Sequence, residues 1–277
     1  MPRALLIDVD PVLREALGRS PLLSGVEFVM AAGEADALRR LRRQACDVAL
    51  TSSRTDFSED LPLVDELRKV RPGVKAILLA PEATPAEVIA AMRRNVFACF
   101  SIPFEIAELA DMMRRAIDTE DWRDGVEVVS AQPDWVSLRL ACRLLTAERA
   151  VRFLTELRAD VPDIDRDGLL VAFREILLNA MEHGGGFDPD QVVEVSAVRT
   201  ARAIVFYVRD PGPGYAPERL PHAAVSNPPD DPVAHLKRRT ELGLRPGGFG
   251  LLVARKVVDQ MILSERGNEV LLIRYTA

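Results

Sequence analysis

Twelve residues near the middle of the chain, Phe173-Arg-Glu-Ile-Leu-Leu-Asn-Ala-Met-Glu-His-Gly184, constrain its fold more than any other stretch. Leu169, Leu170, Phe173, Ile176, Leu177 and Ala180 recur at three- and four-residue spacing, which predicts a helix over Arg166–His183 with one buried stripe. Asp165 is placed to cap it. Glu175 and Asn179 stand four apart and share a face beside that stripe. A carboxylate and an amide so stacked can hold a hydrated cation and orient a nucleophile. An ordinary amphipathic helix with a solvated Glu and Asn has the same spacing, so this stretch alone leaves both readings open.

Two later stretches narrow the choice. The strand-like run Ala203-Ile-Val-Phe-Tyr-Val208 leads into Arg-Asp-Pro-Gly-Pro-Gly214. Prolines and glycines cannot continue a strand, so Asp210 is left where the chain turns. Further on, Arg245-Pro-Gly-Gly-Phe-Gly-Leu-Leu-Val-Ala-Arg255 is a glycine-rich loop running into an apolar helix expected over Phe249–Met261. Glycines there let the backbone approach a phosphate, and the start of the helix aims free N–H groups at it. Each piece alone is weak: the first also reads as a plain turn, and single glycine-rich loops are common.

Order and spacing together say more: E-x3-N-x3-H, then D-x-G-x-G, then G-G-F-G-L. This succession resembles the Bergerat-type (GHKL) ATPase fold of histidine kinases and gyrase. Within that group the wording N-A-M-E-H-G, D-P-G-P-G, N-P-P-D-D-P-V-A-H-L, L-R-P-G-G-F-G-L and N-E-V-L-L-I-R-Y resembles the anti-sigma-factor serine kinases, over roughly Val126 to Ala277. The resemblance implies an ATP pocket in which Asn179 coordinates Mg²⁺ and Asp210 accepts a hydrogen bond from the adenine amino group. Gly212 and Gly214 would let the base lie against backbone, Gly247, Gly248 and Gly250 would wrap the phosphates, and Glu175 would be the general base taking the proton of a protein serine. His183 ends the helix beyond that face and reads as a packing or capping residue. No separate helix pair presenting an exposed His is visible, which weighs against a histidine kinase.

Ahead of this lie five short apolar runs, Ala4–Ile7, Val26–Met30, Val48–Thr51, Lys75–Leu79 and Phe97–Ser101, alternating with helical periods; the last helix is expected over Phe104–Arg115. That alternation predicts an α/β doubly wound (flavodoxin-like) parallel sheet. The order, length and S-I-P-F corner resemble a response-regulator receiver domain. Receivers need an acceptor aspartate after the third strand, an acidic pair after the first that holds Mg²⁺, a Ser or Thr after the fourth, and a Lys before the Pro. Here Ser52 falls at the acceptor position, the acidic pair is reduced to Asp8 and Asp10, strand four ends at Ala80, and Ile102 precedes Pro103. Phosphorylation should therefore fail: Asp56 or Asp47 could be nominated as substitute acceptors, but Asp47 begins the strand and Asp56 lies four residues into the loop, and the domain is expected to be a pseudo-receiver that docks partners or dimerises.

At 277 residues the chain has room for two cores, expected as 1–120 receiver-like and 121–277 ATP-binding, the second an α+β two-layer sandwich. Its strands are expected at Val126–Val129, Trp135–Ala141, Val192–Ala197, Ala203–Val208 and Val270–Tyr275, with a helix over Ala147–Leu157. Tyr215 to Pro246 reads as a long irregular lid whose Lys237, Arg238, Arg239 and Arg245 either meet phosphates or face solvent. The net charge of −6 divides evenly, with 16 basic and 19 acidic residues up to position 120 and 20 and 23 beyond, so neither half is a nucleic-acid surface. No apolar run approaches the roughly 18 to 20 residues of a membrane span, and no signal peptide is expected. Cys46, Cys99 and Cys142 lack metal-ligand spacing and read as reduced core residues of a cytoplasmic protein.

The function expected is an ATP- and Mg²⁺-dependent serine kinase acting on an anti-sigma-factor antagonist, with a sigma factor and a second copy of the chain as further partners. The alternative is a non-catalytic ATP-binding switch that exchanges partners with nucleotide.

Overall fold

Strands buried on both faces read as continuous apolar runs, and the five runs of the first half form one sheet. The structure is a computed structural model and describes residues 1–52, 54–120, 125–157, 163–214, 231, 234–241 and 250–276; for 163–167, 235–236, 238–239 and 250 only the backbone is described. Internal contacts divide the chain into two units, Met1–Arg123 and Asp124–Ala277.

In the first unit the elements are β1 (Arg3–Ile7), α1 (Pro11–Arg19), β2 (Glu27–Ala31), α2 (Glu34–Arg43), β3 (Val48–Leu50), α3 (Phe57–Val70), β4 (Lys75–Ala80), α4 (Pro85–Arg93), β5 (Ala98–Ser101) and α5 (Ile106–Asp118). The strand order is β2-β1-β3-β4-β5 and every pair is parallel. This is the flavodoxin-like order, with a switch point at the carboxyl ends of β1 and β3. Leu5, Ile7 and Ala49 of the sheet pack with Leu41, Leu63 and Leu67 of α2 and α3. Local chemistry sets the helix starts: Asp10 accepts the Val12 N–H at 2.8 Å, and Thr84 and Glu87 form a reciprocal capping box on α4. The last helix runs three residues past its expected end, where Arg114 forks onto Asp118 at 2.8 and 2.5 Å one turn on.

The second unit holds β6 (Val126–Gln132), β7 (Trp135–Ala141), α6 (Leu144–Leu157), α7 (Asp163–Asn179), a π-helical turn over Ala180–Gly184, β8 (Val192–Arg199), β9 (Ala203–Arg209), α8 (Ala234–Glu241), α9 (Gly250–Val257), β10 (Gln260–Leu263) and β11 (Glu269–Tyr275). Six strands form an antiparallel sheet in the order β10-β11-β9-β8-β7-β6. Helix α7 packs on β9 and β11, and α6 on β7. The Phe173 and Phe206 rings meet with centroids 4.6 Å apart. Helices on one face of an antiparallel sheet make the expected two-layer α+β sandwich. Across the other face one register row alternates in sign: Glu127, Arg139, Glu194, Arg209, Glu269. Neighbours in that row approach to 3.5 Å (Arg139–Glu127), 3.6 Å (Arg209–Glu194) and 3.7 Å (Arg209–Glu269).

Three expectations need correction. The helix expected over Phe249–Met261 stops at Val257, and Gln260 and Met261 begin a strand. Asp259 is the cause: its N–H donates to Ile273 O at 2.9 Å and its carboxylate accepts the Tyr275 N–H at 2.7 Å, which ties the chain to β11. Asp165 lies inside α7, because the backbone is already helical at Asp163. The stretch read as irregular from Tyr215 to Pro246 contains α8, built from strong helix formers. Among the described residues no helix is long and apolar enough to cross a membrane, and all three cysteines are free and buried.

One buried carboxylate in the first unit was not singled out by the sequence. Asp60, 6% exposed on α3, accepts the Thr55 hydroxyl at 3.1 Å through Oδ1, while Oδ2 has no hydrogen-bond partner among the described residues. Burial pushes this acid up to about 6; the Thr51 and Thr55 hydroxyls oppose the shift, and Glu34 and Glu59 add to it. Because its folded value lies above the ordinary one, the unfolded chain loses the proton first, so stability falls as pH rises toward about 6 and stays reduced above it. Asp60→Asn should therefore slow hydrogen exchange of the α3 amides at pH 7.5 by on the order of 3 kcal/mol of local stability, and by about half as much at pH 5. Equal protection of parent and variant at both values would show that the Asp60 carboxylate is adequately solvated.

Candidate nucleotide site

The apolar stripe of α7 fixes where its polar residues face. With Phe173, Ile176 and Leu177 buried against the sheet, Glu175 and Asn179 remain half-buried beside them. Arg174 ties this region to the neighbouring helix. Its Nη2 and Nε reach the Glu148 carboxylate of α6 at 2.5 and 3.3 Å, and its Nη1 lies 3.4 Å from Glu175 Oε1. The guanidinium thus bridges two carboxylates, one on each helix, and both raise its affinity for its proton.

After Asn179 the helix widens into the π turn. The Gly185 N–H donates to Ala180 O at 3.0 Å, and the Phe187 N–H to Met181 O at 2.8 Å. Such turns carry one extra residue and recur at functional sites. Here the turn sets the bare backbone of Gly184 against Asp210. A Cβ at Gly184 would fall on the Asp210 carboxyl, well inside the 3.0 Å below which real Cβ atoms are not found. A Cβ at Gly212 would lie 2.8 Å from both Asp210 Oδ1 and Gly184 Cα. Glycine is required at both positions by close approach.

Asp210 leaves the end of β9 and is 8% exposed. The Gly212 N–H donates to its Oδ1 at 2.8 Å. Its Oδ2 has no hydrogen-bond partner among the described residues. Burial raises its affinity for a proton, opposed by the Gly212 N–H and by the Arg266 cation. The result is an immobilised acceptor with one oxygen committed and the other open to a donor.

Of the residues singled out from the sequence, Asp210 and Gly212 come together with Gly184 at the end of the turn that follows Asn179. Gly214 has φ +84°, and a Cβ there would collide with the Arg266 carbonyl. Gly250 begins α9, which lies along α7; a Cβ at Gly168 of α7 would sit 3.3 Å from Val257 Cβ. Gly247, Gly248 and Arg245 lie outside the described residues, as do the side chains of Arg238 and Arg239; Lys237 is exposed on α8. His183 sits on the π turn with Nε2 3.9 Å from Glu182 Oε2. Sequence reasoning gave no role to Gly184, Arg174, Glu148 or Asn268. Only Asn268, opening the N-E-V-L run, and Gly184, closing N-A-M-E-H-G, had left a signal.

The corresponding place in the first unit is poorly equipped for phosphoryl transfer. Ser52 is 5% exposed, and its Oγ accepts the Arg54 N–H at 3.2 Å. Asp10 is committed to capping α1, and the Arg54 guanidinium stands 3.8 Å from Asp8. Asp47 accepts the Arg3 N–H at 2.8 Å, and Asp56 stands at the N-cap of α3. Ile102, half exposed, supplies no cation. Among the described residues no group of three His, Cys, Asp or Glu side chains is placed to hold a metal.

Residues 140–274 match the family described as "Histidine kinase-like ATPase domain". That match lies within the second unit, while the first unit has the flavodoxin-like strand order. Among curated proteins the chain is similar to the transcriptional regulatory protein GlrR of Escherichia coli K12, 29% identical over 153 residues, 53% of this chain and 33% of that protein. The response regulator protein FleR of Pseudomonas aeruginosa is 28% identical over 155 residues, 54% of this chain and 32% of FleR. The chain spans about a third of the length of these curated relatives. Among solved structures, a CheY-like receiver domain from Methanospirillum hungatei matches 43% of this chain and 94% of its own, with 20% identity and a TM-score of 0.38. The receiver domain of HemR from Leptospira biflexa matches 44% and 98%, with 20% identity and a TM-score of 0.39.

Acetyl phosphate should leave the first unit unmodified, since neither the acceptor carboxylate nor the cation that holds the product is present. Intact-mass measurement checks this. A gain of one phosphate that disappears in Asp56→Asn would identify Asp56 as the acceptor.

Proposed function

We propose that this protein is an ATP-dependent serine kinase of the anti-sigma-factor type, which phosphorylates an anti-sigma-factor antagonist and also holds a sigma factor, and which works as a homodimer. The observation that carries the nucleotide reading is Asp210, a buried carboxylate with one oxygen held by Gly212 and the other without a hydrogen-bond partner among the described residues, flush against the Gly184 backbone. That arrangement suits the exocyclic amino group of adenine, a donor that one fixed carboxylate oxygen can read while a flat base slides along glycine backbone. Asn179, an amide oxygen on the same helix face as Glu175, is a hard donor of the kind Mg²⁺ accepts. With no carboxylate cluster among the described residues, phosphate oxygens and water would supply the other ligands. Mg²⁺ would neutralise charge on the β- and γ-phosphates.

Glu175 is the base in this reading. It takes the proton of the substrate serine as Oγ forms its bond to the γ-phosphorus; the bond from that phosphorus to the β–γ bridging oxygen breaks, and the electron pair leaves with ADP. Arg174, itself anchored on Glu148, fixes the direction of the Glu175 carboxylate. Gly247, Gly248 and Gly250 are assigned to the phosphates and Gly214 to the base, on the strength of the motif.

A second reading is supported by the first unit, where Ser52 and Ile102 stand in place of catalytic groups. A chain that has lost chemistry in one unit can use the other as a nucleotide-dependent switch.

In the full-length chain, Asp210→Asn should weaken ATP binding by about 1.5 to 3 kcal/mol, the scale of a hydrogen bond to a charged group, as read by calorimetry. Unchanged affinity would reduce Asp210 to a turn residue. Glu175→Gln should leave ATP affinity within a few-fold and lower transfer of radiolabelled phosphate to a serine of the antagonist by about 10² to 10⁴, the contribution of a positioned general base. Equal transfer by parent and variant would remove Glu175 from the mechanism. If neither transfers phosphate yet both change partner affinity with ATP, the switch reading replaces the kinase.

A further inference from the structure

The Asp210 loop is held by the turn between β10 and β11. Where β9 ends, the Asp210 N–H continues the ladder and donates to the Asn268 carbonyl at 3.0 Å. The Asp210 carbonyl leaves the ladder and has no strand partner. The side chain of Asn268 supplies one: Nδ2 donates to Asp210 O at 3.2 Å, and Asn268 is itself 6% exposed. A buried carbonyl left unpaired would carry a desolvation penalty, so this amide decides whether the peptide after Asp210 can keep its orientation. Two further contacts brace the same loop. Arg266 Nε donates to Pro213 O at 3.2 Å, and the Gly214 backbone passes so close to the Arg266 carbonyl that no side chain fits. The turn is closed by the Gly267 N–H donating to Ser264 O at 2.9 Å and by its contact with Ser264 Oγ at 3.2 Å.

We infer that Asn268 is a positioning residue for base selection: by holding the Asp210 carbonyl it fixes the direction of the Asp210 carboxylate, and so sets the preference for purines that carry a 6-amino group. The inference rests on the nucleotide reading of the Asp210 site. Asn268 acts on the base through Asp210 rather than by touching it, and this gives it a signature that a general packing role lacks. Loss of the amide should weaken only those nucleotides whose 6-amino group Asp210 reads.

The test compares ATP with purine riboside triphosphate, which lacks the 6-amino group, by calorimetry on the full-length parent, Asn268→Ala and Asn268→Ser. The parent should bind ATP more tightly than the analogue. In Asn268→Ala, ATP should weaken by about tenfold, the scale of one hydrogen bond lost from a buried pair, while the analogue changes less than about twofold by the same argument. Asn268→Ser, which keeps a donor, should recover part of the discrimination. If Asn268→Ala does not fold, Asn268→Asp is read in its place, since it removes the same donor at nearly constant shape. Equal weakening of both nucleotides, or an unchanged ratio in a folded variant, would overturn the inference. A parent that binds the two nucleotides equally would also overturn it while leaving a nucleotide site, whereas a parent that binds neither would remove the site and the inference together.

Discussion

A carboxylate taken out of water needs donors around it, and the second unit is arranged around that requirement at Asp210. One donor comes from Gly212, two residues along the same loop. The backbone on either side is held by Asn268, from the far end of the sheet's last hairpin. The wall against which the carboxylate rests is Gly184, at the end of the turn that follows α7. Three pieces distant in sequence therefore meet at one side chain. None of the three could move without exposing or crowding it.

The two units make opposite use of buried acid. Asp210 in the second keeps its backbone pinned and leaves one oxygen for a partner. Asp60 in the first is buried with an oxygen that no described group satisfies, and its surroundings push it toward the neutral form. The polar groups at the carboxyl ends of β1 and β3 in the first unit are engaged structurally: Asp10 in a cap and Ser52 with the following backbone. The fold of that unit depends on apolar strand residues such as Leu5, Leu50 and Leu78 and not on those polar contacts.

Much of the architecture was legible because it is written in periodicity. The continuous runs at Ala4–Ile7 and Lys75–Leu79 can only be buried parallel strands among helices, and the spacing of Phe173, Ile176 and Leu177 can only be one face of a helix. What escaped is what periodicity does not encode. The segment Val258–Leu263 is apolar enough for a helix or a strand, and a tertiary contact from Asp259 to β11 decided it. At the site, the residue types with chemistry, Glu175, Asn179 and Asp210, could be found by spacing and resemblance. The partners of Asn268 and Arg174 could not, since they lie 58 and 26 residues away in sequence.

The π turn has a further consequence, for length rather than for chemistry. Between Asn179 and Gly185 the chain spends five residues, Ala180–Gly184, on a turn closed by the bond from the Gly185 N–H to Ala180 O. Each residue of an α-helix turns the backbone by about 100°. A residue added to or taken from Ala-Met-Glu-His-Gly would change that winding and shift the bare backbone of Gly184 relative to Asp210. The turn is therefore constrained in its residue count as well as in the identity of Gly184. The number of residues between Asn179 and Gly184 is thus as much a part of the wall beside Asp210 as the glycine itself.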